Sequence, residues 1–387
     1  MKPLEGIRVV DFSWVLAGPI CTRYLAFMGA EVLKVESHRR PDPSRRGDGF
    51  QMLNQNKRGV ALNLSTPEGR ALALELVKKS DVVIENFATG VIDRMGLGYD
   101  VLKAANPQIV MVSSAGLGHT GPERGYAAYG TLIQAYTGWS AIQGYPGRKP
   151  IIGGAFTDPA AGTWLAGLIA SALYRRKQTG EGAYLDVSMA EVTINLLAQP
   201  LMEYAITGAV RQPQGNRDDW FAPHNVYPCA GDDQWMAIAV TNDEEWAGLC
   251  KALGLELASD VRFQMALGRW KHQEELDSII SEETRRYTVT ELFARLQRAG
   301  IPSGPCYDLA QINANEHLVE RGFIHEYTDN RGRKVNIPSI PWQIESLPLP
   351  AASPAPELGQ DTEYALREIL DLTPEKIAEL QKAGVLY

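Results

Sequence analysis

Asp158 stands in the run Gly153-Gly154-Ala155-Phe156-Thr157-Asp158-Pro159, where two glycines let a ligand approach the backbone and a proline opens a helix. A carboxylate in that place has two roles open to it. It can cap the helix expected over 159–176 by accepting from the first free amides. It can also act as a covalent nucleophile, with the helix dipole and the amides of Gly153 and Gly154 stabilising an oxyanion beside it. The local sequence is compatible with both. A second candidate is Glu36, which ends a strand and is followed by Ser37-His38-Arg39-Arg40. Cations at the carboxyl end of a parallel strand suit an isolated phosphate, and a solvated basic loop is the structural alternative. A nicotinamide cofactor is not expected, because the loop Ser13-Trp14-Val15-Leu16-Ala17-Gly18-Pro19-Ile20 holds one glycine where a dinucleotide fingerprint needs three. No metal is expected either: the six histidines, at 38, 119, 224, 272, 317 and 325, show no H-x-x-x-H or H-E-x-x-H spacing and have no cysteine pair nearby. Without a G-x-S-x-G elbow, Ser113-Ser114 reads as strand-end packing, and His224, bracketed by prolines, reads as structural with substrate contact as the alternative.

The elements that must position these groups alternate along the first 120 residues. The runs IRVVDF, EVLKVE, DVVIENF and QIVMVSS are strands separated by amphipathic segments, the pattern of βαβ units and a parallel sheet. Helices are expected over 21–28 and 66–79, the second with Thr66 as N-cap, Pro67 at its first position and Glu68 at the positive end of the dipole. The helix after Asp158 stops at Gly180 to Gly182 before another strand. Proline, glycine and mixed charge over 208–223 mark a linker. WMAIAV is then a strand, 243–256 and 273–299 have helical periodicity, 326–358 is proline-dotted and extended, and 362–370 and 373–382 are short helices.

Composition narrows the function classes. The chain has 387 residues, enough for two or three domains, and a formal net charge of -8, which argues against a nucleic-acid or anionic-membrane partner. Four cysteines, at 21, 229, 250 and 306, form no disulfide framework or CxxC motif, so a reducing, cytoplasmic location is expected. The N-terminus lacks a signal-peptide pattern. The longest uncharged run, 159–174, is shorter than the ~20 residues a bilayer crossing needs, so no membrane partner is expected.

Four separated segments carry a family likeness. PLEGIRVVDFSWVLAGPICTRYLAFMGAEVLKVE, NKRGVALNLSTPEGRALALELVKKSDVVIENFATGVIDRMGLGYDVLKAANPQIVMVSSAGLG, GAFTDPAAG…IASALYRRKQTGEGAYLDVSM and AGIPSGPCYDLAQI occur in that order. Together they resemble the family III CoA-transferases, which include formyl-CoA:oxalate transferase, carnitine CoA-transferase and the α-methylacyl-CoA racemases. The resemblance implies an α/β fold with a large doubly wound Rossmann-like domain, a smaller inserted α+β domain, and a homodimer interlocked like two rings. Placed on this sequence, that plan gives a large domain over 1–195 completed by 346–387, linkers over 196–221 and 316–345, and a small domain over 222–315.

The resemblance also implies an activity: transfer of coenzyme A from an acyl-CoA donor to an organic acid acceptor through an aspartyl-CoA thioester on Asp158. For coenzyme A it implies contacts from Leu16 and Ala17, from Leu62, Asn63, Leu64 and Ser65, and from Asn86, Phe87, Ala88, Arg94 and Met95. The family's basic residue after the strand-ending acid is replaced by Ser37, which leaves His38, Arg39 or Arg40 to substitute. Racemases of the family carry a histidine where this chain has Tyr129, a poor proton shuttle at neutral pH; racemase or isomerase activity is the alternative reading. The glycine-run lid of the formyl-CoA transferases is missing from QGNRDDWFAPHNVYPC. Trp220, Phe221, Tyr136 and Trp139 are candidates for an apolar acyl pocket.

Overall fold

The structure is a computed structural model, and it describes residues 2–347 and 352–386. Contacts divide the chain into two compact units, one of Met1–Ala141, Ile151–Arg211 and His317–Tyr387, the other of Ile142–Pro150 and Gln212–Glu316.

In the first unit six strands pair in parallel: β1 (Arg8–Asp11), β2 (Glu31–Glu36), β3 (Arg58–Ala61), β4 (Val82–Glu85), β5 (Val110–Ala115) and β6 (Ala183–Ser188). Their order across the sheet is β3-β2-β1-β4-β5-β6, the doubly wound arrangement. Val9 and Val10, Val82, Val83 and Ile84, and Val110, Met111 and Val112 form buried apolar runs because both faces of these central strands are covered. Val9, Val32, Val82 and Val110 pack on one side with the Ala17–Phe27 and Thr157–Thr179 helices, while Val10, Leu33, Val83 and Met111 pack on the other with the Pro67–Lys78 helix. The two helices on the first face cross closely at Gly162, where a side chain would run into the Ala17 carbonyl and Ile20.

Several boundaries differ from the sequence pattern. The first helix begins at Ala17 rather than 21, because Gly18 and Pro19 fall in its opening turn, where neither disturbs hydrogen bonding. β3 was not expected: Arg-Gly-Val-Ala is too short to show an alternation. Its outer edge is covered by the C-terminal segment, where Asp361 accepts the Gly59 N–H and Thr362 Oγ1 the Ala61 N–H, each at 2.9 Å. Thr66 caps the Pro67–Lys78 helix by accepting the Gly69 N–H at 3.0 Å.

The second unit has an antiparallel sheet of β7 (His224–Pro228), β8 (Trp235–Ala239) and β9 (Ser303–Pro305). Helices Asp243–Leu253, Gln273–Thr284 and Val289–Arg298 bury Trp246, Leu249, Leu276, Leu292 and Leu296 in its core. The periodicity over 273–299 is thus split in two, because Thr288 and Glu291 form a capping box that starts a new helix. After it the chain rejoins the first unit. β10 (Ile324–Thr328) and β11 (Lys334–Pro338) form a hairpin where an extended stretch was expected, and the Pro374–Lys382 helix adds Ile377 and Leu380 to the sheet core. Among the described residues no helix is long and apolar enough to cross a membrane.

Candidate active site

The sheet reverses its direction of growth between β1 and β4, and a crevice at the carboxyl ends of such strands is the expected ligand position in a doubly wound fold. Two buried ion pairs fix the loop after β1. Asp11 accepts from Thr22 Oγ1 at 2.6 Å and from Lys57 Nζ at 3.2 Å. Burial pushes its carboxyl up, but Lys57 and Lys34 together with the hydrogen bonds from Ser13 and Thr22 hold it below the usual range, while burial draws Lys57 down to about 8. Lys34 Nζ donates to the Ser13 carbonyl at 2.8 Å and to Asp42 at 3.0 Å, and Asp42 accepts the Val15 N–H at 3.2 Å. From the other side Asn86 accepts the Trp14 N–H at 2.7 Å and donates to the Trp14 carbonyl at 2.9 Å. This clamp holds Val15 at φ 67°, a conformation that costs a β-branched residue about 1–3 kcal/mol.

Asp158 belongs to the helix rather than capping it. The Thr157–Thr179 helix has Phe156 at its N-cap, so Asp158 is the second helical residue and the capping role does not apply. The half-buried carboxylate reaches across to Gly130, the first residue of the Gly130–Tyr136 helix, and any side chain at 130 would occupy the position of its Oδ2. Burial raises its pKa above the ordinary 3.8, opposed only by its own backbone amide.

A cavity of about 670 Å3 within the first unit has Asp158, Gly130 and Tyr129 in its wall. It brings together a large part of the expected set: Asn63, Leu64 and Ser65 after β3; Asn86, Phe87, Ala88 and Met95 after β4; and Arg39, with Arg40, after β2. Trp14 stands between Phe87, edge-on at 5.5 Å, and the Arg40 guanidinium, 5.3 Å from its ring. Leu16, Ala17, His38, Leu62 and Arg94 are not among the lining residues, and Ala17 and Leu62 are fully buried in the core. Gly153 and Gly154 do not line it either. The Gly153 N–H already donates to Gln134 Oε1 at 3.1 Å, and Gln134 returns a bond to the Gly154 carbonyl at 2.7 Å, so the amide of Gly153 is not open to an oxyanion.

The aromatic candidates separate. Tyr136 donates to Glu123, Trp139 packs on Phe156, and Trp220 and Phe221 lie in the second unit. His224 contacts the Asn216 carbonyl through Nδ1 at 2.6 Å, in keeping with a structural role. Sequence reasoning missed Gly130, Arg124, Tyr126 and Met189, which also face the cavity. Gly130 could have been found only by pairing it with a carboxylate 28 positions away, and no local pattern marks such a pair.

Comparison with known proteins bears on the family and the fold. The family model of CoA-transferase family III matches residues 4–362. The succinyl-CoA–D-citramalate CoA-transferase of Chloroflexus aurantiacus is 34% identical over 100% of this chain and 98% of its own length. The succinate–glutarate CoA-transferase of Agrobacterium fabrum is 32% identical over 95% of this chain and 96% of its own. A crystal structure of a CAIB/BAIF family protein from Brucella suis superposes with a TM-score of 0.87 at 33% identity, covering 95% of this chain and 99% of that one. With the family's motifs in order along the chain and its doubly wound sheet in place, this protein is a member of the family III CoA-transferases.

Proposed function

We propose that the enzyme moves coenzyme A from an acyl-CoA donor to a carboxylic acid acceptor through a covalent intermediate on Asp158. The observation that carries this reading is the placement of a half-buried carboxylate, with no side chain between it and Gly130, in the wall of a cavity large enough for part of a thioester. The Asp158 carboxylate attacks the donor thioester carbonyl, forming a mixed anhydride and releasing CoA thiolate. The thiolate attacks the aspartyl carbonyl, which gives the aspartyl-CoA thioester and frees the donor acid. The acceptor carboxylate then attacks the aspartyl thioester, and the same two steps run in reverse. Bonds and charge balance at each stage with no outside reductant or energy source.

In this reading the coenzyme lies along the loops after β2, β3 and β4. Arg39 and Arg40 take the phosphate contact that Ser37 cannot make, which the position of both in the cavity wall supports. The interlocked homodimer and a cytoplasmic location belong to the same proposal. Incubation with an acyl-CoA followed by hydroxylamine should cleave an aspartyl thioester at 158, seen by mass spectrometry as a modified peptide. Exchange of label between free acid and acyl-CoA by an Asp158→Ala variant at the wild-type rate would end the proposal.

A further inference from the structure

Behind the cavity wall the carboxyl ends of three adjacent strands converge on one imidazole. Glu85, the last residue of β4, is fully buried, and Asp186 is on β6. His119, in the loop after β5, places its Nδ1 3.1 Å from Asp186 Oδ1, and the same carboxylate oxygen accepts the His119 backbone N–H at 3.0 Å. An ionised carboxylate only accepts, so Nδ1 carries a proton. Nε2 lies 3.5 Å from Glu85 Oε1, and neither atom has a hydrogen-bond partner among the described residues. A neutral imidazole beside an ionised Glu85 would set the Nε2 lone pair against a buried carboxylate whose side chain has, among the described residues, only the Ser113 hydroxyl beside it, an opposition that one additional proton between Nε2 and Oε1 removes. Burial of Glu85 raises its proton affinity and favours that proton.

The second oxygen of Glu85 accepts the Phe87 N–H at 2.7 Å, and Thr89 Oγ1 donates to the Gly118 carbonyl at 3.2 Å. The pair therefore sits where the loop after β4 is tied to the loop after β5, and Asn86, Phe87, Gly116 and Leu117 of those loops line the cavity. We propose that Glu85 and His119 share one proton as a latch that positions the Asn86–Phe87 wall, and that affinity for a CoA thioester falls when this proton is lost. The proposal rests on the cavity being the coenzyme site. The other groups around the pair are Ser113 on β5, Tyr184 and Asp186 on β6, and Asp93 on the Val91–Arg94 helix. The two aspartates among them are acids, whose charge favours retention of the proton. A raised folded-state pKa makes the contribution of this proton complete at low pH and lost as pH rises beyond the usual carboxylate range. KM for the thioester should thus rise with pH, while kcat, set at Asp158, does not follow it.

Glu85→Gln supplies the test, since its carbonyl still accepts the Phe87 N–H and its NH2 offers Nε2 a hydrogen that does not titrate. As pH rises beyond the usual carboxylate range the wild-type KM should rise roughly tenfold, the worth of one buried hydrogen bond, while that of Glu85→Gln stays flat. His119→Asn keeps a donor toward Asp186 and removes Nε2, so its KM should be raised by about the same factor at every pH with kcat within about twofold. A Glu85→Gln profile parallel to wild type, or an unchanged KM in His119→Asn, overturns the latch. Thermal unfolding without coenzyme reads the shared proton separately: the Tm of wild type should fall relative to that of Glu85→Gln as pH rises. If CoA binds at no pH, the cavity assignment fails, and parallel Tm profiles would then overturn the latch on their own.

Discussion

Asp158 has to satisfy two opposed demands, to be ionised for attack and to sit where water is partly excluded. Burial raises its proton affinity above the ordinary 3.8, so kcat should decline on the acid side through a pKa higher than that of a solvated aspartate, as a pH–rate profile will show. The same burial makes the ionised form costly to the fold. Asp158→Asn should therefore lower transfer by roughly a thousandfold or more while unfolding at a higher temperature than wild type, an exchange of stability for function readable by calorimetry. Gly130 is the complementary residue. Its backbone is one that alanine adopts, since it is not among the positions of positive φ, yet a methyl group there would displace the carboxylate. Gly130→Ala should keep the Tm within about 1 °C and cut kcat about a hundredfold, the cost of misplacing a reacting group by an ångström. Loss of stability with kcat retained would show that the contact between 130 and 158 has no catalytic consequence.

At the scale of elements, the sheet was legible and the site only partly so. β1, β4 and β5 announce themselves because a strand covered on both faces needs an apolar run, β2 shows the same pattern broken by Lys34, and Thr66-Pro67-Glu68 spells a helix start in three residues. Asp11, Lys34 and Lys57 carry no such signal. Each looks like an exposed charge in sequence, and only the side-by-side pairing of β1, β2 and β3 makes them a buried network that holds the loop at Trp14 and Val15. The network should dominate the acid limb of stability. Burial raises both Asp11 and Asp42, but lysine charge together with hydrogen bonds from Ser13 and Thr22 to Asp11 and from Ser44 to Asp42 holds both below the ordinary 3.8, so their contribution is complete above that value and lost as pH falls through their lowered pKa values. Lys57→Met leaves Asp11 buried without its cation. It should cost about 3–5 kcal/mol in urea unfolding and move acid unfolding to higher pH, whereas a loss below 1 kcal/mol would mean the pair is dispensable.

For the whole molecule, the question is what covers the apolar surface that the first unit leaves in solvent. The Ala198–Thr207 helix has no buried residue, although Leu201, Met202, Tyr204 and Ile206 lie along it and Ile206 is 76% exposed. Trp164 and Tyr174 are likewise exposed on the Thr157–Thr179 helix, the one that bears Asp158. Single exposed apolar residues are ordinary, but a helix with no apolar side chain inside the protein implies a surface completed by association. The proposed interlocked homodimer supplies such a cover from a second copy, and its folding is then inseparable from its assembly. Sedimentation should accordingly find wild type at twice the 42.5 kDa chain mass, with thermal stability that rises with protein concentration. Charges at Met202→Glu and Ile206→Glu together should abolish the dimer and, with it, the cooperative unfolding transition. A soluble variant of one chain mass that unfolds cooperatively and still transfers CoA would show that each chain folds and works alone, and the interlocked arrangement would have to be given up.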